Sequence, residues 1–370
     1  MKIKPFELER YFARYEFSAP FLLSCSDCEP LALGELLEMA DGDSRKLWKE
    51  LKLGYTESRG HPLLRAEIAK LYQERPADDL LTVVPEEGIF IAVNCLLQKG
   101  DHLVVTFPAY QSLYEIANSL GCDVSFWRPN EDQSWRFEVG QLLRLLRENT
   151  RLVVINFPHN PTGATISGEQ LRELINVLRE RRITLFSDEM YRFLEYEPRN
   201  RLPSAVDIYE HAVTLGGLSK SFSLAGLRSG WLVSSEPALL EKFSAFKDYT
   251  TICSGAPDEI LAIIALRSKE LILKRNLEII KANLKILDGF FNRHRDLFEW
   301  LRPQAGPVAF PALRSGISAA EFCRELLDQH GVMLLPGTVY GSDESHFRIG
   351  FGRRTMPAAL ELLDQYLKKY

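Results

Sequence analysis

The sequence predicts an α/β fold with a mostly parallel sheet flanked by helices, and three observations carry that expectation. Short β-branched runs alternate with amphipathic helical stretches through the middle of the chain, the pattern of a parallel sheet covered on its faces. The 370 residues allow two or three structural units at about 150 residues each. A content of 46 % hydrophobic and 26 % charged residues is that of a chain with a sizeable core.

Taken in order, the amino terminus MKIKPFELERYFARYEF interleaves charges with aromatics and has no apolar run of the kind a secretory signal carries, so a cytoplasmic protein is expected. The turn Pro85-Glu86-Glu87-Gly88 opens a helix over 89–97. LVVTF (103–107), DVSFW (123–127), LVVIN (152–156), ITLFS (183–187), AVTLG (212–216) and GWLVS (230–234) read as strands. Between them, 110–120, 139–147 and 167–181 show the i, i+3, i+4 apolar spacing of helices. From 256 to about 295 only Gly289 interrupts a helical pattern, which predicts a long helix or a kinked pair leaving the first domain. The remainder reads strand (VAFPAL), helix (SAAEFCRELLDQHG), strand (HFRIGFG) and a terminal helix from Met356, a small α+β unit.

Charge and composition remove several function classes. With 45 basic against 50 acidic residues the net charge is −5, which disfavours a nucleic-acid partner, because binding a phosphate backbone needs a basic face. The longest strictly apolar run, 260–266, falls far short of the roughly 20 residues that span a bilayer, so no membrane partner is expected. Six cysteines are too sparse for a disulfide scaffold. Cys25 and Cys28 form a CxxC, the pattern of a redox pair or half a metal site. No second Cys/His pair has zinc-like spacing, so no metal is expected.

The most informative stretch is GGLSKSFSLAGLRSGW (216–231), which follows a strand and sets Lys220 among hydroxyls and apolar groups, with Arg228 eight positions on. A lysine in a partly apolar pocket loses its proton readily and attacks a carbonyl to form a Schiff base. An arginine's planar fork suits a phosphate. Together they suggest pyridoxal 5′-phosphate, although Lys220 taken alone reads more readily as a solvated turn lysine. INFPHNPTG (155–163) follows a strand with a turn of the kind that holds ligands at the carboxyl ends of strands. FSDEMYRFL (186–194) puts Asp188 at the next strand end, where a buried carboxylate needs a cationic partner such as a protonated pyridine nitrogen.

With these motifs in this order the chain resembles the class I/II aminotransferases, the fold type I, aspartate-aminotransferase-like pyridoxal-phosphate enzymes, over essentially its whole length. The resemblance implies a large cofactor-binding domain over 45–285 and a smaller α+β domain from both termini, 1–44 and 286–370. It implies Lys220 as Schiff-base lysine and proton shuttle and Arg228 as phosphate ligand. It also implies Asp188 on the pyridinium nitrogen, Asn160 and Tyr191 on the ring's phenolic oxygen, and Tyr110 of TFPAY stacked on the ring face. Arg348 in HFRIGFG matches the arginine that clamps the substrate α-carboxylate. Tyr55, in the segment 54–72, matches a tyrosine that reaches the partner subunit's cofactor phosphate, which implies a homodimer with shared sites. The implied substrates are an amino acid and a 2-oxo acid.

Departures from the family pattern define the open points. Many relatives carry a phosphate-binding serine where this chain has Gly217, so Ser219 or backbone amides of the turn at 85–88 are expected to compensate, with the Glu86 and Glu87 side chains turned away from the dianion. Arg59 replaces a small residue and reads either as a substrate contact or as a surface charge. FLLSCSDCEPLALGEL is similar to relatives of capreomycidine synthase, which run cyclisation and elimination chemistry on basic amino acids. Elimination, replacement or cyclisation therefore stands beside transamination as a second reading.

Overall fold

Leu152, Val153, Val154 and Ile155 are all buried although successive side chains of a strand point to opposite faces, so both faces of the sheet they belong to are covered. The computed structural model describes residues 2–368 apart from 315, 317 and 343. The central sheet comprises β1 (Leu80–Val83), β2 (His102–Thr106), β3 (Asp123–Trp127), β4 (Thr150–Asn156), β5 (Thr184–Asp188), β6 (Ala212–Gly217) and β7 (Gly230–Ser234). Its order is β1-β7-β6-β5-β4-β2-β3, with β2 to β6 paired in parallel and β7 antiparallel to β6 and β1.

On one face the helix Pro85–Leu96 sets Ile89, Ala92 and Val93 into a cluster with Val105, Val154 and Phe186. On the other the helix Gly168–Arg181 buries Leu171, Leu174, Ile175 and Leu178 with Val104, Val153 and Leu185. Ser167 starts that helix by accepting the Gln170 amide on its hydroxyl.

The structure differs from the sequence reading at several elements. β1 was not expected; it is a four-residue antiparallel edge ended by Pro85. The helix after it begins at Pro85 rather than 89, because proline's missing N–H is unpaired in a first turn in any case. The helical stretch from 256 is a pair, Ala256–Arg267 and Lys269–Arg293, broken at Ser268 while Gly289 continues the second helix. VAFPAL is two short strands, Val308–Ala309 and Ala312–Leu313, and the first pairs with Phe347–Gly350, which also pairs with Leu335–Pro336. Phe21–Leu22 lies parallel to Val332–Met333, so the amino-terminal segment packs with the carboxy-terminal layer. Among the described residues no helix is long and apolar enough to cross a membrane.

The parallel strands end together. Asn156 of β4 stands opposite Asp188 of β5, and Asp188 opposite Leu215 of β6, so the turns leaving these carboxyl ends open onto one place, where ligands of such sheets bind.

Candidate active site

A cavity of about 380 Å³ lies at that edge, with Asp188, Lys220, Arg228 and Arg348 in its wall. Asp188 is buried, and its Oδ1 accepts the Met190 amide at 3.1 Å. Burial pushes its carboxyl up to about 6, opposed by that amide and by the nearby Lys220 charge. Lys220 follows β6 and donates from Nζ to Ser26 Oγ at 2.8 Å, with Nζ 5.9 Å from the centre of the Tyr191 ring. Burial lowers its pKa, an effect opposed by Asp27 and reinforced by Arg348. Tyr191 is buried beside Ser26, whose hydroxyl interacts with its own, though the pair closes no hydrogen bond of ordinary length.

The turn after β4 is tied to the sheet by Asn156, whose side chain donates to the Asp188 carbonyl at 3.2 Å and accepts the Asn160 amide at 2.9 Å. Asn160 Oδ1 in turn accepts from Arg348 Nη1 and from the Tyr340 hydroxyl, each at 3.1 Å, which leaves its amide nitrogen as the free donor. Arg348 is 1 % exposed; it also donates to the Tyr340 hydroxyl and, at 2.6 Å, to the Ser24 carbonyl. Its buried Nε has no partner. Tyr110 begins the segment leading into the helix Ser112–Leu120 and donates to Glu9 Oε1 at 2.8 Å.

The same cavity is lined by Ser219, Arg228 and the first turn of the helix Pro85–Leu96. Ser219 Oγ is buried without a partner. Arg228 has a left-handed backbone, φ 51°, which folds its Nη1 back onto the Ala225 carbonyl at 3.0 Å. A Cβ on Gly217 would stand 3.0 Å from Met190 Sδ and 3.2 Å from Pro85 Cγ, so packing against those two side chains favours glycine where relatives carry serine. Glu87 turns away, accepting the Val84 amide at 3.1 Å and the Thr251 hydroxyl at 2.8 Å. Glu86 corrects the expectation: its side chain stays on the cavity wall, bound to Ser112 Oγ at 3.2 Å, and burial pushes its carboxyl up to about 7.

Tyr55 is 91 % exposed and stands apart from this cavity. Arg59 is engaged elsewhere on the chain, with Glu241 at 3.3 Å and the Asp78 carbonyl at 2.6 Å, which favours the surface-charge reading. Cys25 and Cys28 are buried free thiols; burial pushes Cys25 up to about 11 and Cys28 higher still, the opposite of what a reactive thiol requires.

Sequence reasoning missed Ser26, Tyr340 and the helix Glu7–Tyr15, whose Glu9 and Phe12, with Glu16 at its cap, line the cavity as one stripe at helical spacing. The alternation of charge and aromatics in that segment was the available signal. Asp27, between the two cysteines, holds Arg353 in a bidentate pair, accepting Nε on Oδ1 at 3.2 Å and Nη2 on Oδ2 at 2.9 Å. The residues present fit pyridoxal phosphate: Ser219 Oγ and the Tyr191 hydroxyl are orphaned buried polar atoms in the same wall as a buried carboxylate and a buried lysine amine.

Comparison with known proteins agrees with this geometry. The family model of aminotransferase class I and II matches residues 43–364. Capreomycidine synthase of Streptomyces vinaceus is 28 % identical over 347 residues, covering 93 % of this chain and 88 % of that protein. Aspartate aminotransferase of Pyrococcus horikoshii is 27 % identical over 314 residues, covering 80 % of this chain and 78 % of its own. The crystal structure of a pyridoxal-phosphate-dependent aminotransferase from Streptococcus suis superimposes with a TM-score of 0.93 at 30 % identity, covering 100 % of this chain and 99 % of that one. The chain belongs to the class I and II aminotransferases, enzymes of the fold type I architecture that depend on pyridoxal phosphate.

Proposed function

We infer that the protein moves an amino group between a free L-amino acid and a 2-oxo acid, with Lys220 as the lysine that binds the cofactor covalently. The observation that carries this reading is the convergence of Lys220, Asp188 and Arg348 on one cavity from three distant parts of the chain. Bound pyridoxal phosphate supplies an electron sink for charge developing at the substrate α-carbon. Asp188 holds the positive charge of the pyridine nitrogen. Ser219, Arg228 and the amides of the helix at Pro85 would hold the phosphate, Asn160 and Tyr191 would supply donors to the ring oxygen, and Tyr110 would cover the ring. Arg348 grips the substrate carboxylate through its fork, which fixes the Cα–H bond relative to the ring. Lys220, whose pKa is lowered by burial, would take and return the proton at its Nζ.

The substrate side chain is read from charge balance. Asp27 is paired with Arg353, and Asp188, Arg228 and Arg348 each have a ligand group to neutralise. The Glu16 carboxylate has no hydrogen bond or ion pair among the described residues, and burial and Asp27 raise its pKa against the opposing charges of Arg353 and Lys220, which favours a substrate with a cationic side chain. The segment 45–285 acts as the large domain and 1–44 with 286–370 as the small one, a division supported by the pairing of Phe21–Leu22 with Val332–Met333. The active unit is a homodimer in which Tyr55 reaches the partner's phosphate, and it works in cytoplasmic amino-acid metabolism.

Borohydride reduction followed by peptide mapping tests the assignment, with the cofactor expected on Lys220 and absent from a Lys220→Ala chain. Attachment to another lysine refutes it. The likeness to capreomycidine synthase supports a second reading, cyclisation or elimination on the same site. Products decide between them: an oxo acid and the aminated cofactor for transamination, a cyclised or ammonia-releasing product for the alternative.

A further inference from the structure

The segment Cys25-Ser26-Asp27-Cys28 stood out in the sequence as a CxxC, yet its thiols are buried and protonated, which leaves the conspicuous chain fold around Ser26 without a role. Its neighbours are fastened on every side. Ser24 offers its carbonyl to Arg348 at 2.6 Å, Asp27 grips Arg353, the Gly350 amide donates to the Leu23 carbonyl at 2.6 Å, and the Glu29 amide donates to the Gly352 carbonyl at 2.8 Å. A Cβ on Gly350 would meet the Cys25 carbonyl oxygen at 1.8 Å, so only glycine lets this strand approach so closely. The result is a strap laced to the carboxy-terminal strand Phe347–Gly350 with Ser26 at its apex, facing the cavity.

We propose that Ser26 is a positioning residue for Lys220: its hydroxyl receives the lysine amine whenever the amine is not joined to the cofactor and aims the nitrogen's lone pair into the cavity. Three facts carry this. The Lys220 Nζ to Ser26 Oγ distance, 2.8 Å, is that of a well-formed hydrogen bond, made between residues 194 apart in sequence. A neutral amine that spends one N–H on a fixed acceptor has its other N–H and its lone pair confined to the remaining directions, and both partners of this hydrogen bond line the cavity. Ser26 also keeps its own hydroxyl proton to donate, and the buried Tyr191 hydroxyl beside it is the group that proton interacts with. Ser26 touches neither end of the substrate in this scheme; it acts through Lys220, whose role rests on the proposed function above.

The test uses Ser26→Ala and Ser26→Thr. In the holoenzyme Ser26→Ala is expected to lower kcat about tenfold to a hundredfold, the range of a lost hydrogen bond to a chargeable group, with cofactor occupancy kept and KM within about twofold. In the apoprotein, the pH at which Lys220 reacts with an acylating reagent, followed by peptide mapping, should move lower in Ser26→Ala, because the hydrogen bond favours the ammonium form. Ser26→Thr keeps the hydroxyl and should recover most of both properties. An unchanged kcat and labelling profile in Ser26→Ala overturns the proposal, as does Ser26→Thr behaving like Ser26→Ala, which would mark a packing effect. Borohydride attachment to a lysine other than Lys220 overturns the proposed function instead, and is read independently of either variant.

Discussion

Arg348 and Asn160 are joined by a hydrogen bond of 3.1 Å across 188 residues of sequence, tying the last strand of the chain to the turn that leaves β4. Because the Asn160 oxygen is the acceptor, this contact fixes which way the amide points. The groups proposed for the substrate carboxylate and for the cofactor ring are therefore set by one shared network that also includes Tyr340. Arg348→Lys keeps the charge and loses the fork. Expected is a KM for the amino acid raised about tenfold to a hundredfold with the cofactor retained, measured by steady-state kinetics and absorbance. An unchanged KM would remove Arg348 from carboxylate binding.

Asp188→Asn should keep cofactor and lose about a hundredfold or more in kcat, since a neutral amide cannot hold the pyridinium charge. The same variant has a signature in the apoprotein. A carboxyl raised to about 6 from an ordinary value of about 3.9 binds its proton more tightly when folded, so the stability it contributes is complete below about pH 4 and is lost as the pH rises through 6. Thermal unfolding from pH 4 to 7.5 should show the midpoint of the wild-type apoprotein falling relative to that of Asp188→Asn. Parallel curves would contradict a carboxyl whose burial outweighs the Met190 amide and the Lys220 charge.

Glu16 bears on substrate choice. L-Arginine, L-lysine and L-ornithine should convert the bound cofactor faster than L-leucine or L-glutamate. Glu16→Gln should cut kcat/KM for the cationic set about tenfold or more while changing the others little. A wild-type preference for glutamate, or an equal loss for all substrates, would rule out the charge-balance reading.

Tyr55 is almost fully exposed, which for a residue proposed to reach a cofactor phosphate requires a second subunit. Mixed dimers of Lys220→Ala and Tyr55→Ala chains should regain up to one sound site each, so activity after subunit exchange should exceed that of both parents. A sedimentation monomer with full activity at nanomolar concentration would end the shared-site proposal.

The strands of the sheet core were legible because burial on both faces writes a continuous β-branched run, as in 152–156. The helices were legible because one-sided burial writes a 3.6-residue period, as in 167–181. Lys220, Asp188 and Arg228 stood out in motifs beside strand ends and Asn160 followed from the family resemblance, and the structure sets all four in one cavity wall. β1 was not legible, because an antiparallel edge strand of four residues is too short to show a period.

What the tertiary structure alone decided is everything that depends on distant segments meeting. Nothing in SCSDC indicates that Ser26 accepts the Lys220 amine, nothing near Tyr340 indicates that it completes the Arg348 network, and the amino-terminal alternation of charge and aromatics signals a helix without saying that Glu9 and Glu16 face this cavity. Local residue pattern records how each residue is buried, and so it determines the elements and the chemistry carried at their ends. The partners of a side chain are fixed by packing between elements far apart in the chain, here the lacing of residues 23–29 to the strand Phe347–Gly350, and sequence periodicity carries no record of that meeting.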